Sequence, residues 1–159
     1  MQNKEKESVI DLVKDIKYAM LVTNDQKMAS CPMATAQNES KDALFFISLF
    51  DSDKVNSMLN NPDVLVNYSD VDSHTYLSIN GKAKLIFEKE EIKKHWSFMD
   101  NAFFKDGIET PDICLIKVEM EHAQVWKNDQ NFLERAINLG KGILPGKTAK
   151  VGSEESVNY

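Results

Sequence analysis

The chain has 159 residues, of which 42% are hydrophobic and 28% are charged, and its formal net charge is −6. This length and composition are typical of a single globular domain that folds without disulfide bonds. An acidic chain with a pI near 5.1 lacks the basic face that nucleic-acid binding requires. No apolar run approaches the roughly 20 residues of a membrane helix. We therefore expect one domain without nucleic-acid or membrane partners.

The predicted elements begin with a helix over residues 8–17, where Val9, Leu12, Val13 and Ile16 repeat with helical spacing after Ser8. The period then changes to short apolar or alternating runs, separated by clusters of Asn, Asp, Ser and Lys. These runs predict six strands, over residues 18–23, 29–37, 43–49, 64–68, 75–87 and 113–120. Further helices are predicted over residues 52–60, from residue 89 and over residues 131–139, and residues 140–159 are expected to form an extended C-terminal tail.

Strands follow strands in this order, which excludes a doubly wound parallel sheet and predicts an α+β fold built on an antiparallel β-barrel. The clearest alternation runs from Thr75 to Phe87 and predicts a long strand that is buried on one face. Gly81, in the middle of this strand, predicts a bulge or a sharp bend.

A strand that runs into a helix at Ser52 is the most informative segment for function. The first amides of a helix lack partners and favour an anion, while Ser48, Ser52 and Lys54 add two hydroxyls and a positive charge. This arrangement predicts a seat for one phosphate group. An ordinary serine cap followed by a solvated lysine explains the same residues.

Two other features fit a ligand site. Pro32, inside a strand, predicts an edge strand whose free backbone groups face a ligand or solvent. A group of aromatic residues is suited to wall a planar cofactor or to form core and dimer contacts, and its members are Trp96, Phe98, Phe103, Phe104 and Trp126.

Other chemistries lack support in the sequence. The histidines His74, His95 and His122 are far apart and form no metal-ligand motif, so no metal site is predicted. Residues 142–148 resemble the end of a phosphate-binding P-loop, but Lys141 stands where that loop needs glycine. The two cysteines, Cys31 and Cys114, form no Cys-x-x-Cys pair, and the polar start of the chain has no signal-peptide core. We therefore expect a cytoplasmic protein.

Taken together, these segments resemble the FMN-binding split barrel of the pyridoxamine 5′-phosphate oxidase superfamily, and in particular its general-stress-protein branch. The matching stretches cover roughly residues 8–158 in their order and spacing: residues 30–35, 45–55, 61–70 and 76–83, the Trp96 helix, residues 125–126 and the tail from Gly146 to Gly152.

The resemblance implies a homodimer with FMN in clefts between the subunits. It assigns the FMN phosphate to Ser48, Ser52 and Lys54, and it also counts Ile47, in the same matching stretch, among the cofactor-binding residues. It places Cys31, Pro32, Met33 and Ala34 along the isoalloxazine ring and ribityl chain. Tyr76 would lie beside the ring, and Trp126 would come from the other subunit. The flavin would carry the redox chemistry, so no catalytic side chain is predicted.

Three departures from the family leave alternatives open. Cys31 stands where the branch commonly has arginine, and Asp53 stands where the oxidases often have arginine. Residues 127–131 lack the substrate motif of the oxidases, so pyridoxamine 5′-phosphate oxidase activity itself is not expected. The alternatives to an FMN-dependent oxidoreductase are a barrel that binds F420 or haem, and a non-catalytic dimeric barrel that has lost its flavin.

Overall fold

The computed structural model describes residues 2–36, 39–127 and 153–159. In this part of the chain, seven antiparallel strands in one sheet form the body of the protein. The strands are β1 (Tyr18–Asn24), β2 (Met28–Ala34), β3 (Ala43–Leu49), β4 (Asp63–Asp70), β5 (Thr75–Ile86), β6 (Ile113–Lys127) and β7 (Ser153–Asn158). Three helices accompany them, α1 (Gln2–Ile16), α2 (Asp53–Asn60) and α3 (Lys89–His95), together with two short 3-10 helices, Phe98–Ala102 and Gly107–Glu109.

The strand order β2-β1-β4-β5-β6-β3 leaves β2 and β3 at the two ends of the sheet. The sheet curls so that these ends approach each other. Just after β2, the Ala36 amide donates a hydrogen bond of 2.8 Å to the Phe45 carbonyl of β3. The long strand β6 pairs with β3 over residues 113–119 and with β7 over residues 122–127. The result is an antiparallel split barrel, which confirms the predicted fold class.

The core follows from the alternation of side chains along the strands. One face of each described strand points into the barrel, where the largest fully buried side chains include Leu21, Phe46, Tyr68 and Ile79. Strand β3 is buried on both faces, because Phe45 and Ile47 pack into a second apolar cluster with Ile92 and Leu115. This second cluster anchors the α3 region beside β3.

The bulge predicted at Gly81 is confirmed, and the extra residue lies on the neighbouring strand. Asn80 pairs with His122 whereas Gly81 pairs with Met120, so Glu121 has no partner in β5. A side chain at Gly81 would collide with the Glu119 carbonyl and would come within 2.8 Å of Val118 Cγ1. Only glycine allows β5 and β6 to approach so closely here.

Several boundaries differ from those predicted. Helix α1 begins at Gln2, so Ser8 lies within it and is not its cap, and α3 ends at His95 before Trp96. The end of the expected tail forms β7, because Val157 reaches the barrel core beside Ala123. The helix predicted over residues 131–139 lies outside the described residues. Within the described part of the chain, no helix has both the length and the apolar character needed to cross a membrane.

Candidate cofactor-binding site

A cavity of about 270 Å³ lies where β2 and β3 face each other beside α2. Its lining includes six of the ten residues assigned to the cofactor by the resemblance: Pro32, Met33, Ala34, Ile47, Ser48 and Lys54. Leu49, Asp100, Phe103 and Phe104 complete it. We call this the seam cavity.

Two hydroxyl groups and the start of α2 lie together beside Ser48, which lines one corner of the seam cavity, whereas Ser52 itself is not part of the lining. Ser48 is buried at the end of β3, and its Oγ lies 3.4 Å from Ser52 Oγ. Ser52 occupies the N-cap position of α2, yet its side chain makes no capping hydrogen bond. The first-turn amides of a helix have no intrahelical acceptor. The corner therefore presents two hydroxyls and the positive end of a helix to an anion.

Lys54 adds a full positive charge to this corner. It lines the seam cavity, and no carboxylate of the described residues forms an ion pair with it. The neighbouring Asp53 is exposed and is not part of the cavity lining. Lys54, and not Asp53, therefore contributes its side chain to the lining of the cavity.

The backbone of β2 presents hydrogen-bonding groups to the same cavity. The Thr35 amide donates to the Lys17 carbonyl before β1 at 2.8 Å, whereas the Ala36 amide donates to Phe45 of β3. Backbone groups alternate in direction along a strand. The Ala34 amide and the Pro32 carbonyl therefore face the seam, and the missing N–H of Pro32 breaks no bond to β1. This edge supplies one donor and one acceptor to a planar ligand.

Cys31 and Cys114 lie close to Lys54 on the interior side of the seam. Burial raises the pKa of the half-buried Cys31 thiol, and the Lys54 charge partly opposes this rise. Burial raises the pKa of Cys114 to about 11, again against the charge of Lys54. Both thiols are therefore neutral at neutral pH. Cys31 supplies no charge in place of the family's arginine, and Lys54 carries the positive charge of this group.

Asp100 and the aromatic residues after it form the outer wall, which the sequence suggested only in part. Asp100 is buried, and its Oδ2 accepts hydrogen bonds from Ser97 N at 2.6 Å and from Ser97 Oγ at 3.0 Å. These bonds hold the short 3-10 helix that carries Phe103 and Phe104 to the cavity. The aromatic cluster was visible in the sequence. The Ser-x-x-Asp spacing was the signal for Asp100, since it is a capping pattern.

Two of the residues assigned by the resemblance, Tyr76 and Trp126, lie elsewhere in this chain. They pair directly across β5 and β6. Tyr76 also pairs with Ser69 of β4, and Trp126 also pairs with Glu154 of β7. Tyr76 and Trp126 are about one-third exposed and do not line the seam cavity. The structure therefore brings Cys31, Pro32, Met33, Ala34, Ile47, Ser48, Ser52 and Lys54 together and leaves this aromatic pair on the outer face of the sheet.

Comparison with known proteins agrees with this architecture. The sequence matches the family described as pyridoxamine 5′-phosphate oxidase like over residues 4–150. No significant match was found among curated proteins.

Solved structures extend the likeness to the fold. A candidate general stress protein 26 from Jannaschia sp. CCS1 is 21% identical to this chain, with a TM-score of 0.77. The match covers 98% of this chain and 99% of that protein. General stress protein 26 from Bacillus anthracis str. Sterne is 20% identical, with a TM-score of 0.66 and coverage of 76% and 92%. A general stress FMN/FAD binding protein from Xanthomonas citri is 18% identical, with a TM-score of 0.66 and coverage of 95% and 97%.

The family match covers most of the chain, and the described strands form the split barrel of these structures. The chain therefore belongs to the pyridoxamine 5′-phosphate oxidase-like family.

Proposed function

We propose that this protein binds FMN and works as a flavin-dependent oxidoreductase of the general-stress type. The observation that carries the proposal is the convergence of Ser48, Ser52 and Lys54 at the uncapped start of α2, beside the open edge of β2. The FMN/FAD binding named for the Xanthomonas citri protein supports it.

The residues of the seam fit the terminal phosphate of FMN. A phosphate needs several donors and a compensating charge. Ser48 Oγ, Ser52 Oγ, Lys54 Nζ and the first-turn amides of α2 supply these, and solvent screens the exposed Asp53. The β2 edge fits a heterocyclic ring, since the Ala34 amide and the Pro32 carbonyl match ring atoms that accept and donate hydrogen bonds.

We infer that the complete site needs a second subunit. The seam cavity, at about 270 Å³, is below the roughly 300–1,000 Å³ of sites that enclose a whole cofactor. It therefore encloses only part of the cofactor, and the homodimer that the family resemblance implies would cover more of it. A homodimer brings the outer-face pair of Tyr76 and Trp126 toward the partner's seam. This arrangement explains why the pair lies outside the cavity of its own chain.

Bound flavin supplies hydride or electron transfer at its ring. The chain holds the phosphate through Lys54 and the two serines, orients the ring along β2, and excludes water with Phe103 and Phe104. Asp100 positions this wall through its bonds to Ser97. We assign the protein to the cytoplasm, where its two cysteines remain reduced.

Titration of FMN with the purified protein tests the proposal. We expect flavin fluorescence to be quenched on binding. The double variant Ser52→Ala, Lys54→Ala should weaken binding about 100-fold, because charge-assisted hydrogen bonds contribute about 1.5–3 kcal/mol each. The matched control is Lys27→Ala, an exposed lysine in the β1–β2 turn, which should bind like the wild type. Thermal melts of all three proteins report whether each is folded.

The competing functions give different results in the same assay. A colourless protein that ignores FMN but binds haem or F420 would replace the proposed cofactor. A protein that ignores all three would be a barrel without a cofactor. FMN binding that survives the double variant unchanged would remove the phosphate assignment.

A further inference from the structure

A second, larger cavity of about 970 Å³ adjoins the seam cavity. The two share Ala34, Asp100 and Phe103 as lining residues. The larger cavity extends from this shared wall toward α1, and its far side is formed by Val13, Lys14 and Lys17. We call it the α1 cavity. Its volume lies within the range of small-molecule sites.

The side chains of the α1 cavity combine a flat apolar surface with basic groups. The rings of Phe45 and His95 stack with centroids 3.9 Å apart and planes inclined by 19°, and both rings line the cavity. Lys14 of α1, Lys17 just after α1 and Lys94 of α3 also line the cavity. An aromatic surface bordered by ammonium groups is suited to a planar organic anion.

Three lysines and two acidic residues, Glu39 and Asp100, line the cavity, so its basic groups outnumber its acidic ones. Asp100 is already bonded to Ser97 through two hydrogen bonds, and Lys94 pairs with Glu91 at 2.5 Å. Neither Lys14 nor Lys17 forms an ion pair with a described residue. Glu39 is the remaining acidic residue of the lining. The two unpaired lysines are therefore available to a bound anion.

Lys17 occupies an unusual backbone position at the edge of this cavity. Its φ of 69° lies in the left-handed region, where it ends α1 and donates its amide to the Val13 carbonyl at 2.9 Å. Glycine is the residue that most readily occupies this place after a helix. Here a lysine occupies it and presents its side chain to the cavity.

We propose that the α1 cavity binds a planar aromatic carboxylate, with its ring against Phe45 and His95 and its carboxylate at Lys14 and Lys17. Because the cavity shares a wall with the seam cavity, this ligand would lie beside the flavin. Its place beside a flavin rests on the proposed FMN function, whereas anion binding does not.

A pair of isosteric probes tests the anion site. We expect 2-naphthoate to bind the FMN-loaded wild-type protein, as measured by calorimetry, and the neutral 2-naphthamide to bind at least tenfold more weakly. The double variant Lys14→Gln, Lys17→Gly should lose at least tenfold in naphthoate affinity while FMN affinity stays unchanged. Glycine suits the backbone of position 17, so this variant should fold. Lys27→Gln is the matched control and should bind naphthoate like the wild type.

Other outcomes would overturn the proposal. Equal binding of the two probes, or unchanged naphthoate binding by the double variant, would show that the lysines do not recognise an anion. Competition between naphthoate and FMN would show that the cavity belongs to the flavin site itself. If FMN fails to bind but naphthoate binds the unloaded wild type through the two lysines, the flavin function fails and the anion site stands.

Discussion

Strands β4, β5 and β6 pair along their lengths, whereas β2 and β3 meet through the Ala36–Phe45 bond and leave the seam cavity beside it. In the first region, which we call the closed ladder, cross-strand neighbours fix the position of each residue. In the second, the open seam of β2, β3 and the start of α2, β2 pairs only with β1 and β3 only with β6 among the described strands, and the facing edges of β2 and β3 border the seam cavity. Residues of the closed ladder serve packing, whereas residues of the open seam are available to a ligand. Substitutions in the closed ladder should therefore change stability, and substitutions in the open seam should change ligand binding.

The largest effect is expected in the closed ladder at Gly81. Gly81→Val places a side chain against the Glu119 carbonyl and the Val118 side chain, so the strands must separate. Overpacking against backbone should cost about 3 kcal/mol or more. Urea unfolding measures the loss. Substitution of the exposed Asn80 by Val is the adjacent control and should cost far less. A Gly81→Val protein as stable as the wild type would show that β5 and β6 do not approach as described.

Gly81 also shows how much of the fold could be predicted from the sequence. Alternation from Thr75 to Phe87 revealed the buried face and the interruption at Gly81, because both are local patterns. It did not reveal that the extra residue is Glu121, because register depends on the partner strand. Strand β7 was missed for a similar reason, since Val157 becomes a core residue only through its pairing with β6.

The candidate site was predictable to the same extent. Ser48, Ser52 and Lys54 could be placed together because a strand end and a helix start are close in sequence. Asp100 and the basic residues of the α1 cavity come from distant elements, and no local pattern joins them. The resemblance implied that Trp126 serves the other subunit, whereas the place of Tyr76 outside the cavity follows from its pairing with Trp126 across β5 and β6, which no local pattern shows.

The second prediction uses mixed dimers to join the two regions. If Trp126 serves the partner's seam, a heterodimer of one Lys54→Ala chain and one Trp126→Ala chain keeps one intact site and one doubly altered site. We therefore expect one tight FMN site per heterodimer and none in either homodimer, with weak sites at least tenfold poorer. FMN titration of differently tagged, co-purified dimers measures the stoichiometry.

Two other stoichiometries would contradict this arrangement. No tight site in the heterodimer would mean that Trp126 acts on the seam of its own chain. Normal binding by the Trp126→Ala homodimer would mean that this tryptophan does not contact the cofactor.

The third prediction concerns stability at alkaline pH and compares two cysteines, Cys114 and Cys31. Cys114 of β6 pairs with Ser48 of β3, whereas Cys31 lies in the seam. The pKa of Cys114 is raised from 9.0 to about 11, so the folded protein keeps the thiol proton longer than the unfolded chain does. Stability from this group is complete below pH 9 and is lost as the pH rises to 11. The loss should be about 1–2 kcal/mol.

Unfolding by urea at several pH values measures this dependence. Cys114→Ala should flatten the slope between pH 9 and 11, whereas Cys31→Ala, at the half-buried position, should flatten it less. Equal slopes in the wild type and in Cys114→Ala would contradict the assignment of this pH dependence to Cys114.

The smallest effect is expected where the closed ladder touches the open seam. Tyr68 of β4 is fully buried, and its hydroxyl shares a hydrogen bond of 2.7 Å with Thr35 Oγ1, just after β2. Burial raises the pKa of Tyr68 above its ordinary value, so the hydroxyl stays protonated. Tyr68→Phe should cost about 1 kcal/mol, since it leaves the Thr35 hydroxyl without this partner. In a double-mutant cycle with Thr35→Val, the two losses should sum to more than the loss in the double variant. Additive losses would mean that this bond does not couple the two regions.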